Sequence, residues 1–593
     1  MKLSKLYSNK PDLFETIIFS SGLNVIQAEI RLPENKKKDT HNLGKSTLGK
    51  LLDFCFLSQK KSEFFLFKHE QLFNQFVFFL ELELEDGSYL TIRRGVTNAA
   101  RISIKKHNDS HQDFTQLTNW DHENVPFDKA KEILDSILNF YCLKPWPYRK
   151  ILGYLLRSQD DYRNVFQLRK FASKHKDWKP FLAHILGFNS DLITKHYELE
   201  SQLKDARNRE DIVQKELGGS IEDISRIDGL LLLKQQDVNE RQRLLDQFDF
   251  HSVDQVKTKK LIDELDLKIA TLNKRRYSLE FNRKKIELSL QKQQILFDPD
   301  KAESLYKEVG ILFPKQLKKD FNQLIKFNRA ITEERHKYLK EELSSIKKEL
   351  IDINQTLLQL GEERTQTLSF LGETDIFDKY KQISNDLITL KADIAFLERQ
   401  KEFIHKLQEL RTEIRQLNEK YQKIQIDMEK DLEMQNKQET SLFSEIRLYF
   451  SRIIEDVISR KALLNVKINR EGHLDFSADI LDEAGYSTSA DDGHTYKKLL
   501  CVAFDLAILR AHLKDNFPRF VYHDGIFESL DDRTKINLLN VIRQYSILGI
   551  QQIITVIDSD IPLDNNIFFN KDEIALVLHD EGIQGRLFKL PSW

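Results

Sequence analysis

The sequence predicts an α/β head assembled from the N- and C-terminal segments of one chain, with a long intramolecular antiparallel coiled-coil hairpin inserted between them. Three observations predict it. Strand-and-turn patterning marks both ends, apolar heptads fill the middle, and a phosphate-loop motif near the start finds its carboxylate counterpart only near the end.

Composition sets the frame. The chain has 593 residues, ample for more than one core. Charged residues make up 31%, with 20 glycines and 11 prolines, a balance that suits long helices. A net charge of -2 excludes a uniformly basic nucleic-acid binder and leaves room for a local basic patch. Cys55, Cys142 and Cys501 are far apart and form no CxxC pair, which argues against a disulfide framework or a zinc site and fits a reducing compartment. The opening MKLSKLYSNK lacks the apolar run of a signal peptide, and no stretch has the length and apolarity of a membrane span. A soluble cytoplasmic protein is expected.

Residues 1–190 form the first half of the expected head. Thr16 to Phe19, Leu23 to Ile26, Phe76 to Leu84, Tyr89 to Arg93 and Arg101 to Ile104 have strand character, with turns at Asp86-Gly87 and near Asn98. Helices are expected from Phe127 to Tyr141 and through the 150s. Residues 191–296 and 319–436 are the expected outgoing and returning arms, with an apex turn at 297–318. Leu339, Leu343, Ile346, Leu350, Ile353, Leu357 and Leu360 form an unbroken a/d series, as do Leu407, Leu410, Ile414, Leu417, Tyr421, Ile424 and Met428. Such repeats keep one seam facing a partner helix. The pattern breaks near Pro299 to Pro314, and again around 248–253 and 369–377, at similar distances on either side. Folding back at the middle break brings the outer two together as an elbow. Each arm of about 105 to 120 residues reaches on the order of 150 Å. An intermolecular coil with scattered loops is the alternative. Residues 437–593 return to α/β character, with strands at Phe520 to Tyr522, Ile550 to Ile557 and Ile574 to Leu578.

Asp39 to Thr47 carries the chemistry. A P-loop needs a tight turn of backbone N–H groups, a lysine for the β/γ-phosphates and a hydroxyl for Mg²⁺. Gly44, Lys45, Ser46 and Thr47 supply its second half, between a strand and an apolar helix whose dipole favours an anion. Asp39 stands where the first glycine is usual, and Asn42 replaces another glycine at a position where asparagine tolerates the backbone. Asp524, closing the apolar run Phe520 to Tyr522, is the expected carboxylate for the Mg²⁺ shell.

The order of P-loop, coil out, coil back and carboxylate strand resembles the SMC-type members of the ABC ATPases, which act in chromosome maintenance and double-strand-break repair. The resemblance implies ATP and Mg²⁺ as cofactors and a second copy of the chain engaged through the heads. Gln159 matches the family's Q-loop by position, implying contact with the nucleotide's metal alongside Ser46 and Asp524; as a residue alone it reads equally well as a surface polar group. Asp531, in Ser529-Leu530-Asp531, is similar to the D-loop. Asp492 to Lys498 sits where the family keeps its signature motif, with Gly493 as the matching residue and Ser489 nearby. Two positions depart from the pattern. Gly525 replaces the usual catalytic glutamate, leaving Glu528 and His523 as candidate bases, and Val556 follows Thr555 where a switch histidine is usual. ATP binding with slow or partner-dependent hydrolysis is therefore expected.

Thr40 to Ser46, Tyr496 to Leu500 and His523-Asp524 together resemble bacterial SMC-like proteins of phage-defence operons such as Lamassu-like systems. These pair the ATPase with a separate effector, often a nuclease. Three functions compete: an ATP-gated clamp on double-stranded DNA that controls an effector, a repair or chromosome-organising motor, and a coiled-coil scaffold with a degenerate site. Gly525 and Val556 lean away from a fast motor; Gly44, Lys45, Ser46 and Asp524 lean away from a scaffold. The apex has neither a CxxC hook nor room for a large hinge domain. Lys36 to Lys38, Arg93 and Arg94 are read as solvated, with contact to phosphates as the alternative.

Overall fold

The computed structural model describes residues 1–32, 43–169, 175–216, 224–247, 253–291, 315–369, 374–482, 484–486, 493–562, 568–591 and 593. The chain divides into two compact units, one comprising Met1–Leu203 with Leu417–Trp593 and the other Lys204–Gln416. Strands in chain order are β1 (Lys2–Ser8), β2 (Ile17–Ile18), β3 (Leu23–Glu29), β4 (Val77–Glu83), β5 (Tyr89–Gly95), β6 (Arg101–His107), β7 (His122–Pro126), β8 (Leu156–Arg157), β9 (Ala462–Ile468), β10 (Leu474–Ile480), β11 (Phe520–His523), β12 (Gln551–Ile557) and β13 (Ile574–His579). Helices are α1 (Lys45–Cys55), α2 (Phe65–Lys68), α3 (Glu70–Phe73), α4 (Phe127–Leu138), α5 (Arg149–Leu155), α6 (His175–Ile185) and α7 (Ser190–Glu216). Then follow α8 (Ile224–Asp246), α9 (Val253–Gln291), α10 (Lys315–Ser369), α11 (Thr374–Lys437), α12 (Leu442–Ile458), α13 (His494–Ala511) and α14 (Asp532–Ile547). No helix among the described residues is long and apolar enough to cross a membrane.

The first unit holds a parallel sheet in the order β13-β3-β12-β11-β8 and an antiparallel sheet in the order β2-β1-β4-β5-β6-β7. Strands β11 and β12 are buried almost throughout, as expected of parallel strands covered on both faces. Strands β3 and β8 come from the N-terminal segment and β11 to β13 from the C-terminal one, so neither segment completes this sheet alone. In the antiparallel sheet β4 alternates. Phe78, Leu80 and Leu82 enter the main core, while Phe79 stacks on Tyr7 at 4.8 Å on the other face. The aromatics between Phe64 and Phe79 are largely core, and Phe588 of the C-terminal segment packs edge-on against Phe73, Phe76 and Phe78. Arg94 corrects an expectation. It is neither solvated nor placed for phosphate contact. It is 1% exposed, donates to the carbonyls of Phe54 and Ala99, and lies 4.1 Å over the Phe54 ring. Burial pushes its pKa down to about 10.

In the second unit, ion pairs Asp228–Lys401, Lys234–Asp393 and Arg241–Asp386 join α8 to α11. As one number rises its partner's falls, so these helices run antiparallel. Between α9 and α10, Arg275 pairs with Glu349, and Leu279 and Ile286 share a seam with Ile346, Leu350 and Ile353. Residues 248–252, 292–314 and 370–373, which contain most of the expected breaks and apex turn, lie outside the described residues. The residues flanking the outer breaks do meet: Leu245, Ile262, Tyr380 and Leu387 form one cluster. Helix α9 then continues along α11. Its Tyr277 meets Phe396 at 5.3 Å, and Arg399 lies 5.4 Å over the Phe281 ring. Contacts pass from Asp266–Ser384 to Tyr277–Phe396 with both numbers rising, so α9 runs parallel to α11. Between them is a cavity of about 230 Å³ walled by Phe281, Ala395, Phe396 and Phe403.

Candidate nucleotide-binding site

The site begins where α1 leaves β3. Asn42, like Asp39 and Thr40, lies outside the described residues. Gly44 caps α1 in the left-handed region with φ 104°, and a Cβ there would lie 2.7 Å from Leu587 Cβ. Both conformation and space therefore demand glycine. Leu587 N donates to Leu43 O at 3.1 Å, so the C-terminal segment buttresses the loop. Helix α1 sits directly on β11. Gly49 leaves room for the Tyr522 ring, whose hydroxyl donates to Lys45 O at 2.8 Å. Ser46 is exposed and Thr47 half-buried in the first turn, where free N–H groups and the helix dipole favour an anion. Lys45 is 6% exposed, and its Nζ has no hydrogen-bond partner among the described residues. Burial lowers its pKa; the nearby carboxylates of Glu528, Asp524 and Asp560 oppose that.

Asp524 closes β11. Its Oδ1 accepts from Thr555 Oγ1 at 2.7 Å, and its buried Oδ2 has no partner among the described residues. Thr555 Oγ1 also accepts from Gly525 N at 2.8 Å, tying β12 to the turn that follows. Gly525 has φ 63°, and a Cβ on it would lie 2.6 Å from Gln159 Nε2 and 2.7 Å from Glu528 Oε1. The space beside position 525 is thus filled by the carboxylate of Glu528, three residues on. Gln159 Nε2 donates to Glu528 Oε1 at 2.7 Å. Burial raises the Glu528 pKa, while Lys498 and Lys45 draw it down.

His523 is a correction. Alternate residues of a strand face opposite ways, and Tyr522 faces α1, so His523 faces α13. There it is fully buried, with Nε2 3.1 Å from Asp505 Oδ2. Asp505 also receives two 2.7 Å bonds from Arg157. That engagement removes His523 from the candidate bases. Burial opposes the charge of Arg157, but Asp505 outweighs it and holds the pKa up. Arg157 further donates to the carbonyls of Asp161, Asn164 and Val165, which fixes the turn presenting Gln159.

Two other expected positions are placed differently from one another. Asp531 caps α14, with Oδ1 accepting from Thr534 N and Oδ2 from Thr534 Oγ1; these bonds hold its pKa below the usual range. Its carboxylate is engaged locally rather than aimed at a ligand. Gly493 is exposed at the N-terminus of α13, while Ser489 and Asp492 lie outside the described residues. Val556 is 1% exposed and, next to Thr555 on β12, turns to the face opposite the one that meets Asp524. Asp560, not anticipated, does face it. Burial raises its pKa against the pull of Lys535, Lys45 and Lys498, and its Oδ2 has no partner among the described residues. The pair Asp558 and Asp560, just past an apolar strand neighbouring the Asp524 strand, was the available signal.

The arrangement suits a phosphate at Lys45 and the α1 N-terminus. A divalent cation suits Ser46 and the Asp524 oxygen that has no partner among the described residues, while Gln159 is engaged with Glu528. A buried ammonium and a buried carboxylate oxygen, both unpaired, are costly without such ligands.

Residues 453–592 match a family model described as an uncharacterised protein conserved in bacteria, DUF2326. No curated protein matches the chain. Among solved structures, the chain is similar to an Smc head domain with a coiled coil and joint from Pyrococcus yayanosii, at 16% identity over 93% of this chain and 92% of that one, with a TM-score of 0.35. It is also similar to an Smc head domain with an extended coiled coil, bound to the C-terminal domain of ScpA, from Pyrococcus furiosus, at 13% identity over 94% of this chain and 90% of that one, with a TM-score of 0.31.

Proposed function

We propose that the chain is an SMC-like ATPase that binds ATP with Mg²⁺, engages a second copy through its heads, and clamps double-stranded DNA to control a separate effector, in anti-phage defence. The observation that carries the nucleotide part is the convergence of Lys45, Asp524, Gln159 and Glu528 from opposite ends of the sequence, with Lys45 Nζ and Asp524 Oδ2 unpaired among the described residues. In this reading Lys45 and the α1 N-terminus hold the phosphates, and Ser46, Asp524 and Gln159 hold the metal. Bound Mg²⁺ neutralises charge on the phosphates. Glu528 orients a water and accepts its proton, taking the place of a glutamate at position 525. Exposed Gly493 at the head of α13 faces outward for a second head. The DNA and effector parts rest on the sequence resemblance.

ATP turnover, with and without linear double-stranded DNA and with Lys45→Ala as background, tests the proposal. Turnover above that background and raised by DNA is expected. Neither turnover nor Lys45-dependent ATP binding would sink it.

A further inference from the structure

Lys498 opens the second turn of α13, five residues past Gly493, and is 2% exposed. Its Nζ donates to Gly525 O and to Glu528 O, both at 2.9 Å. These carbonyls belong to the two ends of the turn that replaces the usual glutamate. That turn carries left-handed backbone at Gly525 (φ 63°) and at Ser529 (φ 66°), the latter a residue that rarely adopts it. A segment so disposed needs an outside restraint. Burying an ammonium costs several kcal/mol unless its surroundings compensate. Here the compensation is two carbonyl acceptors and the charges of Glu528, Asp560 and Asp524.

We propose that Lys498 is a positioning residue for Glu528: it pins both ends of the Gly525–Glu528 turn to the N-terminal part of α13, and so makes the place of the carboxylate depend on the place of that helix. Gln159 holds the carboxylate itself, whereas Lys498 holds the backbone from which it projects. Restraint or displacement at the Gly493 end of α13 is thereby passed directly to Glu528. This inference rests on the proposed ATPase reading.

The test compares Lys498→Met, which keeps length and loses charge and donors, with Lys498→Arg and with Glu528→Gln. Each is assayed for kcat and KM in the condition of highest wild-type turnover, and for fluorescent ATP analogue binding. Lys498→Met is expected to lower kcat on the order of tenfold or more, because small displacements of a reacting group are costly. Its KM and analogue binding stay within about twofold of wild type, the mark of an interaction lost in the transition state. Lys498→Arg falls between Met and wild type. Glu528→Gln abolishes turnover. Wild-type kcat in folded Lys498→Met, with Glu528→Gln inactive, overturns the role of Lys498 alone. If Lys498→Met does not fold, Lys498→Arg decides, and unchanged kcat there overturns the proposal. Turnover in Glu528→Gln overturns the role given to Glu528, and no turnover in wild type overturns hydrolysis at this site; either result overturns this inference, while Lys45-dependent ATP binding separately tests the nucleotide site.

Discussion

Gln159 donates to the Glu528 carboxylate at 2.7 Å across the space that any side chain at position 525 would occupy. The two residues are brought together by β8 and β11, which pair in parallel at Tyr522–Leu156 and His523–Arg157. On the proposed reading, the glutamate usual at position 525 is not simply missing. Its space is taken by a carboxylate projecting from further along the turn, which is possible only because residue 525 has no side chain.

Reinstating a side chain at 525 is expected to harm rather than restore. Gly525→Ala meets φ 63° and approaches Gln159 Nε2 at 2.6 Å. The ends of Gln159 and Glu528 can swing away, so the strain is mainly backbone, about 1–2 kcal/mol. Swinging away breaks the bond between them, so turnover falls by more than the stability loss explains. Chemical denaturation and ATP turnover of the same preparation check this. A Gly525→Glu variant with raised turnover would contradict it.

The Arg157–Asp505 pair is fully buried. Asp505→Ala leaves the guanidinium uncompensated and is expected to cost about 3–5 kcal/mol. Because Arg157 also holds the carbonyls of Asp161 and Val165, ATP affinity should weaken as the Gln159 turn loosens. Denaturant midpoints and ATP binding measured in parallel test both effects. Loss of stability with unchanged affinity would confine the pair to the core.

How much of this was legible in the sequence differs by element. Parallel strands such as Phe520 to Tyr522 announce themselves as short apolar runs, because both faces are covered. The a/d leucines mark α10 and α11, because one seam repeats. Strand parity made the outward turn of His523 from α1 available in principle, yet only the Tyr522–Lys45 contact fixes which face is which. Arg94 looked solvated because charge is a poor guide where carbonyls can receive a guanidinium. Asp560 stands just past an apolar strand neighbouring that of Asp524, but its turn toward the site depends on the path of the chain after β12. Tyr277 and Phe281 lie off the heptad seam, so their packing against α11 left no periodic trace.

Acid sensitivity is expected from His196. It is fully buried beside Tyr421 and His473, with both ring nitrogens unpartnered among the described residues. Burial, and then the neighbouring His473, push its pKa down to about 4. The folded state thus binds fewer protons than the unfolded state between about pH 6.5 and 4. The stability His196 confers is present above pH 6.5 and is lost as pH falls through that window, by about 2 kcal/mol at pH 5. Denaturation between pH 7 and 5 should show this slope in wild type and a flatter one in His196→Leu. Equal slopes would assign the acid sensitivity elsewhere.

The course of α9 alongside α11 makes a direct prediction about the coil. Tyr277 and Phe396 face each other with ring centroids 5.3 Å apart. Cysteines at both positions should therefore be joined efficiently by a short bismaleimide. A Cys142→Ser background suits the experiment, since Cys55 and Cys501 are buried. An extended antiparallel hairpin would keep these positions apart, because in the register set by Lys234–Asp393 and Arg275–Glu349 residue 277 belongs opposite α10, not α11. Peptide mass spectrometry should recover the 277–396 cross-link within one chain, and either single-cysteine variant should give none. Removing the packing with Phe281→Ala and Arg399→Ala should lower the yield severalfold, because the aromatic and cation–π contacts that hold the helices together are then lost. Cross-linking only between chains, or none with both cysteines reactive, would mean that the coil in solution does not fold back on itself.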